Sequence, residues 1–159
     1  MRNLPRVAKP GTVFNCNTGE TNIAGAILRK AVGKNLSDYA SEKAFLPGGI
    51  SNTANWLLGT PNDKEFAGCC ISANLRDYGR IDLFALQNFH SSGPNRPLAP
   101  TWMQHSTTPS PGYDGFGCFW GLTDRGVYSA RGVFEQYILV DTNRDLCRRF
   151  TKRLAPGIE

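Results

Sequence analysis

The 159-residue chain reads as an α+β fold in which helices precede antiparallel strands. Three features carry that expectation. Apolar residues recur at helical spacing in the N-terminal part of the chain, around Ile23 and again around Tyr78. From Phe116 onward the spacing changes to period two, with turn residues between the runs. Seventeen Gly and ten Pro interrupt the chain too often for a helical bundle. A chain of this length ordinarily forms one domain and buries a real core. A single domain is therefore expected, with a helical and loop region over about 12–113 and strands over about 114–153.

Each element has its own signal. Pro5, Pro10 and Gly11 make the first dozen residues extended or looped. Ile23, Ala24, Ile27, Leu28 and Ala31 define a helix from Asn22 to Val32, and Gly33 is placed to stop it. Asn35 or Ser37 can cap a second short helix through Tyr39, Ala40 and Phe45, which Pro47-Gly48-Gly49 ends. Residues Ile50 to Lys64 look irregular, anchored by Trp56, Leu57 and Leu58. Ser72 offers the cap of a third helix carrying Leu75, Tyr78, Ile81, Ala85 and Leu86, in which Asp82 interrupts an otherwise apolar stretch.

The segment Asn88 to Tyr113 is expected as loop, apart from a helical turn near Pro100-Thr101-Trp102-Met103. Phe116, Cys118, Trp120 and Leu122 alternate with smaller or opposite-facing residues as a strand would. Asp124-Arg125-Gly126 then forms a tight turn and Val127 to Arg131 returns antiparallel. Gln136 to Asp141 is the next strand, Thr142-Asn143-Arg144 the next turn, and Leu146 to Arg153 a basic edge strand.

Composition narrows the function classes. Eighteen basic and thirteen acidic residues give a mild +5, and Arg144, Arg148, Arg149, Lys152 and Arg153 supply much of it near one end. Only Phe150 interrupts that cluster, so it reads as a solvated strand edge and no nucleic-acid partner is expected. Five cysteines, with one adjacent pair and no Cys-x-x-Cys, argue against a disulfide framework or a zinc site and for reduced, mostly buried thiols. No metal and no cofactor are expected. No run approaches the roughly 18 apolar residues of a membrane span. Arg2 and Arg6 precede no apolar segment of the signal-peptide kind, so a cytoplasmic location and no membrane partner are expected.

An ordered series of motifs then supplies a resemblance. Pro10-Gly11-Thr12-x-Phe14 leads into Asn15-Cys16-Asn17-Thr18 and a helix closed by Gly33-Lys34. Leu36-x-x-Tyr39-Ala40 and a Pro-Gly segment follow, then Leu75-Arg76-Asp77-Tyr78-Gly79-Arg80, Pro100-x-Trp102, and Tyr113-x-Gly115-Phe116-Gly117 before the paired strands. Together, over roughly Pro10 to Val140, these resemble the C-terminal portion of serine hydrolases of the β-lactamase and penicillin-recognising family. The nearest flavour is the related esterases and aminohexanoate-oligomer hydrolases. The resemblance implies the C-terminal part of a β-lactamase-like fold, with a sheet that lacks some of its neighbours.

What the resemblance implies for chemistry can be followed residue by residue. The family acylates a serine that a lysine one helical turn later helps activate. None of the serines in these 159 residues begins a Ser-x-x-Lys. A tyrosine of the family shares the nucleophile's proton, and here Cys16 stands in its place as a relic of that motif. Thr18 falls where an Asn or Ser usually holds substrate. Ala130-Arg131-Gly132 matches the strand of Lys-Thr-Gly or His-x-Gly type, whose backbone contributes to the oxyanion hole. Arg131 and Gly132 are therefore candidate substrate-binding residues, with Trp120 beside them, while Glu135 replaces a usual glycine.

Cys16 as a nucleophile would need a base such as His90 or His105, and no spacing ties either to it. Asp77 and Arg80 can pair on one helix face and buttress a neighbouring loop. The expected function is that of a truncated β-lactamase-related hydrolase, inactive alone, whose parent acts on small-molecule esters or amides. The alternative is a non-catalytic binding or assembly protein that reuses the half-fold, with self-association through open sheet edges. A third expectation is a reading frame that begins upstream of Met1.

Overall fold

A computed structural model describes residues 5–60, 63–89, 98–132 and 136–150. Helix α1 runs Thr18–Val32, four residues earlier than the apolar spacing predicts. The reason is Asn17, whose side chain accepts from the Gly19 N–H at 2.8 Å and so caps the helix before its apolar stripe begins. Gly33 ends it in the left-handed conformation, with its N–H donating to the Arg29 carbonyl. Helix α2, Leu36–Ala40, continues into one π-helical turn over Ser41–Phe45. Strand β1, Asn55–Trp56, lies in the segment expected to be irregular and pairs antiparallel with β2, Ile71–Ser72.

Helix α3, Leu75–Leu86, is capped by Asn74 and not by Ser72, because the Asn74 side chain accepts the Asp77 N–H at 2.8 Å. Helix α4, Trp102–Ser106, is the expected helical turn. Strands β3 (Gly121–Leu122), β4 (Val127–Arg131), β5 (Tyr137–Asp141) and β6 (Leu146–Phe150) form one antiparallel sheet in chain order. In it Ser129 faces Gly121 and Leu139, and Val140 faces Tyr128 and Cys147.

The first strand is much shorter than its alternation predicts. Phe119 has φ of 63°, the Gly117 N–H donates to the Trp120 carbonyl at 2.9 Å, and the Cys118 N–H donates to the Ser106 carbonyl at 2.8 Å. Residues 116–120 thus form a loop against α4, and period-two aromatic spacing marks its anchors and not a strand.

The core joins α3, α4 and the sheet. Ala85, Met103, Tyr128 and Val140 are buried together, with Leu86, Phe89, Trp120, Leu122 and Ile138 packed around them. Each such large side chain taken from water contributes about 1.5–3 kcal/mol before entropy is counted. Two expected apolar anchors behave otherwise: Leu57 and Leu58 are exposed. Among the described residues no helix is long and apolar enough to cross a membrane.

Helix α1 departs most from the usual inside-out pattern. Its apolar stripe is the face turned to solvent, with Ile23 43% and Ile27 64% exposed. The face turned inward is small and polar. Gly25 is buried against Ala67 and Leu36, and a Cβ there would collide with Ala67. Arg29 reaches the carboxylate and carbonyl of Glu65, each at 3.2 Å.

Candidate functional site

The five candidate residues fall into two groups. Cys16 and Thr18 flank the cap of α1, and Cys16 is a free, exposed thiol. The backbone of Gly68 lies directly on Thr18: a Cβ at Gly68 would sit 2.5 Å from the Thr18 methyl and 2.9 Å from its carbonyl oxygen. The Gly68 N–H donates to Asn22 Oδ1 at 3.1 Å, which fixes the 66–70 loop to the first turns of α1.

Arg131 lies in the sheet, with Trp120 just before β3 and Gly132 just after β4. Arg131 ends β4, where its Nε–H donates to Ser129 Oγ at 3.0 Å and its guanidinium stands 5.8 Å from the Tyr137 ring centroid. That contact with an aromatic face favours the cation in a fixed position. The Gly132 N–H donates to the Gln136 carbonyl at 2.8 Å and so closes the β4–β5 connection. A group already donating inside a hairpin is not free to receive an oxyanion. Trp120 meets Tyr128 edge-on with centroids 4.9 Å apart and packs into the core.

An aromatic cluster ties the two groups together. Phe14 stacks on Tyr113 at 4.6 Å and tilts against Phe116 at 4.9 Å, and Phe116 bridges to Gly121 on β3. The stretch before Cys16 is thereby held to the strand next to β4. A cavity of about 370 Å³ lies elsewhere, between the π-helical turn and residues 50–56, and its lining includes Phe45, Asn52 and Trp56. None of the five candidate residues lines it. His90 and Glu135 lie outside the described residues, while His105 is exposed on α4.

Several buried charges were only partly legible from spacing. Asp77 does pair with Arg80, but it is fully buried and not a surface group. Its oxygens accept the N–H groups of Ser51 and Asn52, each at 3.2 Å, so it holds the 51–52 loop as a buttress. Burial alone would raise its pKa; the hydrogen bonds from Asn52 and Ser51 and the Arg80 cation win and hold it at about 2. Glu65 is similar. Burial opposes its ionisation, but the Ser37 N–H at 3.0 Å and hydroxyl at 2.7 Å keep it at about 2.

Asp82 goes the other way. It is buried with one carboxyl oxygen unpartnered, and burial pushes it up to about 6 against the pull of Arg149. The Arg149 guanidinium lies over Gly79 on α3, where any side chain would collide with it. That cation of β6 is thus partly a packing element, in a cluster the sequence presented as solvated edge.

The cysteines overturn an expectation. Cys69 and Cys70 form a disulfide with each other, and Cys16 and Cys118 are exposed, so the thiols are neither all reduced nor mostly buried. Adjacency was the signal, although a bond between neighbouring cysteines needs a backbone held out of the usual range, here with Cys70 at φ 75°. Among the described residues no group of three or more His, Cys, Asp or Glu could hold a metal ion.

Comparison with known proteins places this geometry. A search of curated proteins finds no match. Among solved structures, a provisionally named 6-aminohexanoate-dimer hydrolase from Bacillus anthracis superposes with a TM-score of 0.79 at 22% identity, covering 92% of this chain and 40% of its own. A provisionally named β-lactamase from Bacteroides dorei DSM 17855 superposes with a TM-score of 0.80 at 20% identity, covering 98% of this chain and 55% of its own. The chain therefore shares their fold and spans about half of each relative's length. The family model described as Beta-lactamase matches residues 1–148, and this chain belongs to the β-lactamase family.

Proposed function

We propose that this chain is a partial β-lactamase-family domain that does not hydrolyse substrate by itself. The parent chemistry is transfer of an acyl group from an ester or amide to serine, followed by hydrolysis. The observation that carries the reading is Cys16: a free, exposed thiol stands where the family places a phenol, in 159 residues that hold no Ser-x-x-Lys. A thiol on a single methylene cannot reach as far as a tyrosine to relay a proton, and there is no serine–lysine pair for it to serve. Thr18 and Arg131 remain able to contact a small neutral or anionic ligand through a hydroxyl and a cation.

A second reading, a non-catalytic binding or assembly role, is favoured by the exposed Ile23 and Ile27 of α1. An apolar helix face turned to water is what an association surface looks like. Self-association through the sheet edges is the weaker route. β3 is only two residues long, and β6 carries Arg148 and Arg149. Short and basic edges both resist strand addition.

The test is turnover. The purified chain is incubated with a p-nitrophenyl ester and with a chromogenic cephalosporin. The expected rates equal those of buffer and of Cys16→Ala. Turnover abolished by Cys16→Ala would overturn the proposal. A monodisperse, cooperatively melting protein without turnover favours the second reading.

A further inference from the structure

The 66–71 segment joins two parts of the molecule through very few residues. On one side the Gly68 N–H donates to Asn22 on α1 and the Gly68 backbone rests on Thr18. On the other, the Trp56 indole N–H is shared between the carbonyls of Phe66 at 2.9 Å and Cys69 at 3.1 Å. The Leu57 N–H donates to the Cys70 carbonyl at 3.1 Å, and Ile71 then pairs with Trp56 across β1 and β2. The Cys69–Cys70 disulfide sits between these anchors.

Cys70 is exposed and Cys69 half-buried, so a thiol can reach the bond. Cys70 holds φ of 75°, in the left-handed region that an ordinary residue avoids. Something must hold it there, and the ring closed by the two sulfurs does so directly. Opened, Cys70 is free to return to extended backbone, which re-aims the carbonyl that Leu57 uses and the peptide that carries Gly68 toward α1.

We propose that Cys69–Cys70 is a reversible redox site: oxidised, it latches the 66–71 segment to the first turns of α1 and to Trp56, and reduction loosens both attachments. The reaction partner is a dithiol. One of its thiolates attacks a sulfur of the pair, forming a mixed disulfide and releasing the other cysteine as a thiolate. The second thiol of the reductant then displaces the remaining cysteine. The protein pair gains two electrons and two protons, and the dithiol leaves as its cyclic disulfide. A disulfide-forming oxidant such as diamide reverses the change. The proposal does not depend on whether the candidate site is catalytic.

Iodoacetamide labelling in denaturant, read by intact mass, tests the bond itself. Three labels are expected without reductant, for Cys16, Cys118 and Cys147, and five after dithiothreitol. Hydrogen exchange of the folded protein tests the latch. Amides in peptides spanning 56–58 and 66–72 should exchange several-fold faster after dithiothreitol, and recover after diamide, while those spanning 137–141 stay unchanged. The double variant Cys69→Ser, Cys70→Ser should exchange at the fast rate with or without reductant. If that variant does not fold, the wild-type comparison before and after reduction decides alone. Five labels without reductant, or exchange unaffected by reduction, would overturn the proposal.

Discussion

At the scale of single residues, Asp82 is buried on α3 and feels the Arg149 cation of β6. Asp82 stands out as an acid in an apolar run, and the structure gives it a buried carboxyl with one oxygen unpartnered, pushed up to about 6. Its ordinary value in an unfolded chain is 3.8. The protonated form is favoured by folding, so its stabilising contribution is complete below about pH 4 and lost as pH rises through 6. The difference corresponds to roughly 3 kcal/mol at most. Asp82→Asn should therefore raise the melting temperature at pH 8 and change it little at pH 4.5, as thermal melts at the two pH values will show. Glu65 has the opposite sign. Its pKa is lowered, so its contribution is present above the unfolded value of 4.5 and lost as pH falls through about 2. Glu65→Gln should cost on the order of 3 kcal/mol at pH 7, because it strands the Arg29 cation, with a smaller penalty at pH 3. Spacing alone could not separate these acids. Their partners, Ser37 for Glu65 and Ser51 and Asn52 for Asp77, lie 25 to 28 residues away in sequence.

At the scale of elements, helix existence was legible and helix orientation was not. Periodicity located α1 and Gly33 closed it as expected, but the same apolar residues that defined the helix are those turned to solvent. Amphipathic spacing gives a face and never says what covers it. The inward face depends on Gly25, an apparent weak point for a helix. Gly25→Ala should gain helix propensity yet destabilise the protein by about 1–3 kcal/mol, since the added Cβ meets Ala67; chemical denaturation measures it. Ile27→Glu, on the opposite face, should leave stability within about 0.5 kcal/mol. If α1 mediates association, that variant should also lower the apparent mass at high concentration in analytical ultracentrifugation. Strand β3 was misjudged because Phe116, Cys118 and Trp120 follow a strand's alternation while anchoring a loop whose geometry turns on Phe119 at φ 63°. The later strands were legible because Asp124-Arg125-Gly126 marks where β4 begins and Thr142-Asn143-Arg144 marks where β5 ends and β6 follows.

At the scale of the whole molecule, family and fold were readable from an ordered set of modest motifs, and the match over residues 1–148 bears that out. The candidate site was legible only as departures from a pattern, Cys16 and Arg131 among them. Their separation into an α1 group and a sheet group, joined through Phe14, needed coordinates. The proposed function requires that these 159 residues contain no nucleophile activated for acyl transfer. Intact-mass measurement after incubation with benzylpenicillin and with an activated aryl ester asks that question directly. The expected result is an unshifted mass under conditions where an acyl-serine enzyme of this family is fully labelled. A stoichiometric acyl adduct, mapped by peptide sequencing to a serine or to Cys16 and lost on its replacement by alanine, would contradict it.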